Sequence, residues 1–305
     1  MHRRSLPAIS FLFVVLTGTF DATGADVPKP PIKVLNAAGT EAKTSLSQAL
    51  TLHASFDQGL DANFSRGDKK SYVQQGKALV PAKLNEEVKL AADAGRFGGA
   101  LHFPKKGTTR PSFQDGGVLG YNVKSWSCSV SVWLRLDPDK DLEPGYCDPV
   151  QIIGDDNKKG YIFCEWSKDE TPRYFRYAIR PLFPIWNPDN KAWADIPFEK
   201  RPMVQVERAP FSREKWTHVV FTVENINDKT KPPLGRLYIN GKRQGSIEKW
   251  DLRFDWDPAK VLLVLGANYV GHMDDLAVFD RVLTDTEVDQ VYDLKNGVRE
   301  LYPKK

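Results

Sequence analysis

The chain lacks the features that mark zinc-knuckle, membrane-spanning and nucleic-acid-binding proteins. It has only three cysteines in 305 residues, and no Cys-x-x-Cys or His-x-x-x-His spacing accompanies them, which argues against the common zinc sites. No segment beyond the N-terminus approaches the roughly eighteen apolar residues that a transmembrane helix needs, so no membrane span is expected in the mature chain. Acidic and basic residues nearly cancel, at a net charge of +4, and no basic block is longer than Lys304-Lys305. Such a charge balance calls for neither nucleic acid nor an anionic membrane. The chain also has no internal repeat.

The N-terminus reads as an export signal. Arg3 and Arg4 precede an apolar stretch from Leu6 to Phe20, and Ala22-Thr-Gly-Ala25 offers small residues for cleavage. Residues 1–25 are therefore expected to be removed, which places the mature chain outside the cell or in a periplasm. Losing Arg3, Arg4 and Asp21 with the leader lowers the net charge by one. Residues 26–47, rich in Pro, Lys, Ala and Ser without apolar periodicity, are expected to be a flexible lead-in. In an oxidising compartment Cys147 and Cys164 are expected to bridge across a loop of about 18 residues. Cys128 shares one face of an alternating strand with Val130, Val132 and Leu134, and is expected to stay a buried thiol.

From Ala49 onward the chain alternates in short runs separated by turn residues. Expected strands include Ala49–Phe56, Gly98–Phe103, Val118–Tyr121, Trp126–Leu136, Val150–Gly154, Gly160–Trp166, Tyr174–Ile179, Trp216–Val223, Gly235–Asn240, Val261–Gly266 and Met273–Phe279. Asn240-Gly241 between two such runs is a hairpin signal. Only 284–295 reads as helix: Thr284 can cap it, Glu287 completes a capping box, and Leu283, Val288 and Val291 share a face. Many strands with one terminal helix predict an all-β, two-sheet antiparallel sandwich or jelly roll. The domain is expected over 48–298, with a tail at 299–305. Residues 167–212 hold Trp186 and Trp193, with Tyr174, Phe175, Tyr177, Phe183, Phe198 and six prolines from Pro172 to Pro202, and are expected to be a structured insertion over one face.

Five segments in order resemble the laminin-G-like domains of the concanavalin A-like lectin/glucanase superfamily. They are Leu52-His-Ala-Ser-Phe-Asp57, Gly95-Arg-Phe-Gly-Gly-Ala-Leu-His-Phe103, Cys128-Ser-Val-Ser-Val-Trp-Leu134, Trp216-Thr-His-Val with Leu237-Tyr-Ile-Asn-Gly241, and Met273-Asp-Asp-Leu-Ala-Val-Phe-Asp-Arg-Val-Leu-Thr284. The resemblance covers about 50–295 and implies a jelly roll. It also implies a structural Ca²⁺ between the first and last strands, with Asp57 and Asp274 as carboxylate ligands and a carbonyl near Gly98 beside them. Asp275, alternating away from Asp274, is the weaker candidate.

The superfamily hosts binders and enzymes, so function must come from residues. The Glu-x-Asp-x-x-Glu arrangement of its hydrolases is absent, and Glu165 stands without a second acid at Phe163 or Lys168. Gln151-Ile-Ile153 and Tyr174-Phe-Arg-Tyr177 resemble the strands of alginate-lyase-type jelly rolls, yet Ile153 occupies the place of the proton-abstracting His. No catalytic residue is therefore named. The expectation is an exported, non-catalytic module binding a polysaccharide or an extracellular protein, with Trp186, Trp193 and Tyr174 as ligand platforms. A polysaccharide-active enzyme with an atypical site and a purely structural cell-surface module are the alternatives.

Overall fold

The computed structural model describes residues 43–168 and 170–303; the expected leader, and the lead-in up to residue 42, lie outside them. Two antiparallel sheets form the sandwich that the alternation predicts. The first sheet runs from Lys242–Ile247 through Leu234–Ile239, Thr217–Ile226, Trp126–Arg135 and Gly271–Phe279 to Leu50–Ala54 and Phe64–Ser65. Ala100–Phe103 pairs with the start of Gly271–Phe279, and Lys89–Ala91 pairs with Ala100–Phe103. The second sheet is ordered Met203–Val206, Phe175–Arg180, Tyr161–Trp166, Cys147–Ile153, Leu262–Ala267, Ser112–Gln114, Tyr72–Gln75, Ala78–Pro81. Alternation sends Val130, Val132, Val219 and Phe221 from the first sheet into one core with Ile152, Ile162, Tyr177 and Leu263 from the second.

The two outer faces have different fates. Over the first sheet, the helix Asp285–Tyr292 lays Val288 and Val291 against Val220, Tyr238, Ala277 and Phe279. Its capping box forms as expected, with Thr284 and Glu287 capping each other's backbone. Residues 43–49 are helical and bury Leu46 in the same cluster, and Val298–Leu301 forms a 3₁₀ turn that buries Leu301 there. The packed domain thus begins before 48 and ends after 298, so the lead-in and tail expectations are corrected at both inner boundaries. This sheet is covered on both faces. On the outer face of the second sheet Glu165, Arg176 and Asp148 are buried, while Gln74, Thr108 and Arg110 stay exposed, which leaves that open part as a place where a ligand can lie.

Three further expectations need revision. Cys128, Cys147 and Cys164 are all free and buried in the main core. Cys164 pairs in register with Val150 and Cys147 with Trp166, an offset of about three residues, or roughly 10 Å, along the strands. That is beyond the reach of a disulfide. Unfolded, unreduced protein is expected to expose three reactive thiols, whereas a single one would restore the bridge. The stretch 167–212 is also less of an insertion than expected, because Phe175–Arg180 and Met203–Val206 are strands of the second sheet. Only the intervening segment, with the short helix Phe183–Trp186 and 3₁₀ turns at Trp193–Asp195 and Phe198–Lys200, stands outside the sheets. Val118–Tyr121 is a turn, not a strand. The Asp115 carboxylate accepts the amides of Leu119, Gly120 and Tyr121 at 2.7–3.0 Å and bends the backbone around itself.

Candidate functional site on the second sheet

Polar and aromatic side chains alternate onto the outer face of the second sheet. Tyr161, Phe163 and Glu165 face outward because Ile162, Cys164 and Trp166 fill the core. On the neighbouring strand Arg176, Ala178 and Arg180 do the same, opposite Phe175, Tyr177 and Ile179. Glu165 and Arg176 are register partners and form an ion pair of 3.0 Å, both buried. Burial raises the Glu165 carboxyl above the usual range, with the Arg176 charge opposing it. Glu165 is thus neither a solvent-facing nor an edge carboxylate.

A second acid, Asp148, lies next to it and is marked by no motif. The ladder between Cys147–Ile153 and Tyr161–Trp166 shifts register between Cys164 and Trp166. That irregularity brings Asp148 to the outer face despite its parity. Tyr161 donates to its Oδ2 at 2.8 Å and Gln151 Nε2 at 2.6 Å, and Gln151 is also 2.7 Å from the Tyr161 hydroxyl. Burial raises Asp148, and the charges of Arg180 and Arg110 oppose the shift, so both guanidinium groups stand within electrostatic reach of this carboxylate.

One end of the face is roofed. Trp186 and Trp193 meet edge to face at 5.8 Å. The Arg180 guanidinium lies beneath them, 3.9 Å from the Trp193 ring centroid, 5.0 Å from Trp186 and 4.7 Å from Phe163. Arg201 stacks on Trp193 at 4.4 Å and ties the roof by donating to the carbonyls of Ile196 and Trp193. Tyr174, half-buried, immediately precedes Phe175–Arg180 and shares the parity of Arg176 and Arg180. The structure thus brings Trp186 and Trp193 together around a cation, with Tyr174 at the far end of the same strand.

The other end is open. A groove of about 320 Å³ has Ile153, Leu262 and Val264 as an apolar floor and Gln74, Thr108, Arg110, Ser112 and Gln151 as polar walls. Its strands are consecutive neighbours in the sheet, so the groove continues the row that ends under the tryptophans. An apolar floor with amides, hydroxyls and a guanidinium at its edges can take the C–H face of a pyranose and hydrogen-bond its hydroxyls.

The acids expected to hold Ca²⁺ meet at a different place, where the first strand, the last strand and the C-terminal turn converge. Asp57 Oδ1 accepts the Gly99 amide at 2.8 Å, and Oδ2 accepts from Ser55 at 3.0 Å and from Arg299 at 2.9 Å. Arg299 also donates to the Phe97 carbonyl at 2.7 Å. Asp274 accepts the amides of Phe97 and Asp275 at 2.9 and 2.7 Å. Gly98 lies against Asp57, where a Cβ would strike the carboxylate, and its carbonyl accepts the Gly95 amide at 2.7 Å. This donor set is N–H and guanidinium, the complement of a carboxylate and not of a cation, and the residues do not fit Ca²⁺. Asp275 joins the same corner, contrary to its parity. The strand has an irregular register between Asp274 and Ala277, and Asp275 sits at a φ of 50°. Its Oδ1 lies 2.6 Å from His53 Nε2 and its Oδ2 accepts the Val298 amide at 3.0 Å. His53 Nδ1 lies 2.6 Å from the Tyr302 hydroxyl.

The fold and this ladder of outward side chains define a lectin-type two-sheet sandwich. The chain belongs to the laminin G branch of the concanavalin A-like lectin/glucanases superfamily, which matches residues 120–289, more than half of its length. No curated protein matches it in sequence. Among solved structures, the binding domain of botulinum neurotoxin serotype D is similar at 14% identity and a TM-score of 0.51, over 83% of this chain and 52% of that one. This chain thus spans about half of that toxin domain. Domain 4 of AbnA, a GH43 extracellular arabinanase from Geobacillus stearothermophilus, determined in complex with arabinotriose, is similar at 20% identity and a TM-score of 0.45, over 79% of this chain and 97% of that one. The binding domain of Paraclostridial Mosquitocidal Protein 1 is similar at 15% identity and a TM-score of 0.46, over 81% of this chain and 52% of that one.

Proposed function

We propose that the chain is an exported carbohydrate-binding module whose ligand lies along the outer face of the second sheet. The observation that carries this reading is the continuous row from the groove floor of Ile153, Leu262 and Val264 to the roof of Trp186 and Trp193. On this reading Trp186, Trp193 and Tyr174 are the wall of the occupied end, and Gln151 and Ser112 select hydroxyl geometry. Non-catalytic binding is favoured over hydrolysis because both acids on the face are sealed: Glu165 is paired with Arg176, and Asp148 is held by Tyr161 and Gln151. A glycan array probed with the mature protein tests the reading. Binding to at least one saccharide class is expected, and an array without signal would defeat it.

The same reading dispenses with Ca²⁺. Arg299, bridging the Asp57 carboxylate and the Phe97 carbonyl, supplies the positive charge that the family resemblance assigns to the metal. Chelator is then expected to leave the melting temperature unchanged. A fall in chelator that added Ca²⁺ reverses would restore the metal.

A further inference from the structure

Arg180 is a partly buried cation that makes no hydrogen bond or ion pair among the described residues. A guanidinium carries five N–H donors and loses much when it leaves water without acceptors. Arg180 Nε is buried with no partner, and neither Nη makes a hydrogen bond or ion pair among the described residues. The rings of Trp193, Trp186 and Phe163 offer faces to the charge but no acceptor for its protons. Of the two carboxylates nearby, Asp148 accepts from Tyr161 and Gln151, and Glu165 is ion-paired with Arg176 at 3.0 Å without a hydrogen bond at Oε1. Arg110, at the open end, is equally without a hydrogen bond or ion pair and lines the groove wall. Both feel the charge of Asp148.

We propose that the face binds an acidic saccharide, a hexuronate unit whose carboxylate is received by the Arg180 guanidinium, with Arg110 meeting a second carboxylate of the same chain. This rests on the reading of the outer face as a glycan site and names the class of glycan. A planar carboxylate matches the guanidinium fork with two parallel hydrogen bonds. It supplies the acceptors that the aromatic enclosure withholds, while the sugar ring lies over the apolar floor. A neutral sugar would leave Arg180 enclosed and unpaired, which gives the site a reason to reject it.

The experiment compares oligogalacturonate and oligoalginate with their carboxyl-reduced counterparts, which keep the sugar backbone and lose the charge. Titration calorimetry is run on the unaltered protein and on Arg110→Gln and Arg180→Lys. The unaltered protein is expected to bind at least one uronate series ten-fold or more tighter than its reduced form, with affinity falling as salt rises. Arg110→Gln, an exposed change, is expected to weaken uronate binding several-fold at an unchanged melting temperature. Arg180→Lys keeps the charge but not the fork and is expected to weaken it further; should that variant fail to fold, Arg110→Gln and the reduced polymers decide. Equal binding of native and reduced polymers overturns the proposal and leaves the glycan reading intact. So does binding confined to neutral sugars, or to sulfated sugars lacking uronate. Failure to bind any saccharide removes both.

Discussion

Asp275→Ala is expected to cost about 3–5 kcal/mol, because it removes one member of a buried, hydrogen-bonded pair and leaves the other without compensation. For a domain of this size that corresponds to a fall of roughly 10 °C in melting temperature. The carboxylate joins three parts of the chain: it meets His53 on the first strand, sits on the last strand, and accepts the amide of Val298 in the C-terminal turn. His53, fully buried, would keep only Tyr302 as a partner. The expected signature is a low, early unfolding transition in calorimetry with the free thiols still protected at low temperature. A variant melting within about 2 °C of the parent would show that the corner is not a joint of the domain.

The second large effect concerns pH. Burial, reinforced by the neighbouring Asp275 charge, pushes Asp274 from 3.8 up to about 7. An acid whose folded value is raised keeps its proton in the native state while the unfolded chain releases it. Its contribution is therefore whole below about pH 4 and is lost as pH rises towards 7. A shift of that size corresponds to on the order of 4 kcal/mol. Buried histidines act in the opposite sense, since burial lowers His218 to about 3 and His272 to about 4, and they favour folding as pH rises. The total pH profile therefore mixes the two, and the difference between parent and Asp274→Asn isolates the acid. Denaturant titrations are expected to show the parent's advantage over Asp274→Asn shrinking by a few kcal/mol between pH 4 and pH 7. A constant difference would place an ionised Asp274 in the folded state throughout.

Sequence periodicity was enough for the sandwich, since each sheet has a core side and strands such as Cys128–Leu134 alternate without interruption. Two features of the turns were equally plain. Asn240 and Gly241 both take positive φ between their strands, as the dipeptide suggests, and Thr284 caps its helix. The site was only half legible, and the reason is register. Asp148 and Asp275 both lie where a ladder slips, and a slip reverses the face that strict alternation assigns. Hence Asp275 was set apart from Asp274, and Asp148 was passed over as the partner of Glu165. The Arg180 enclosure was hidden differently. Trp186 and Trp193 could be recognised as aromatic residues outside any alternating run, but nothing local says that both rings close over a guanidinium from a strand. Arg299 lay in a segment with no periodicity, and only its contacts with Asp57 and Phe97 reveal it as the cation of that corner.

The central claim is that ligand occupies the outer face of the second sheet, and blocking that face tests it most directly. Gln74 and Thr108 are exposed wall residues of the groove, so a Gln74→Trp/Thr108→Trp double variant fills it without disturbing the core. Val123, exposed and not among the groove residues, provides Val123→Trp as the control. With the saccharide that gives the strongest array signal, titration is expected to show binding lost in the double variant and retained in the control, at equal melting temperatures. Undiminished binding in the double variant would place the ligand elsewhere and contradict the account.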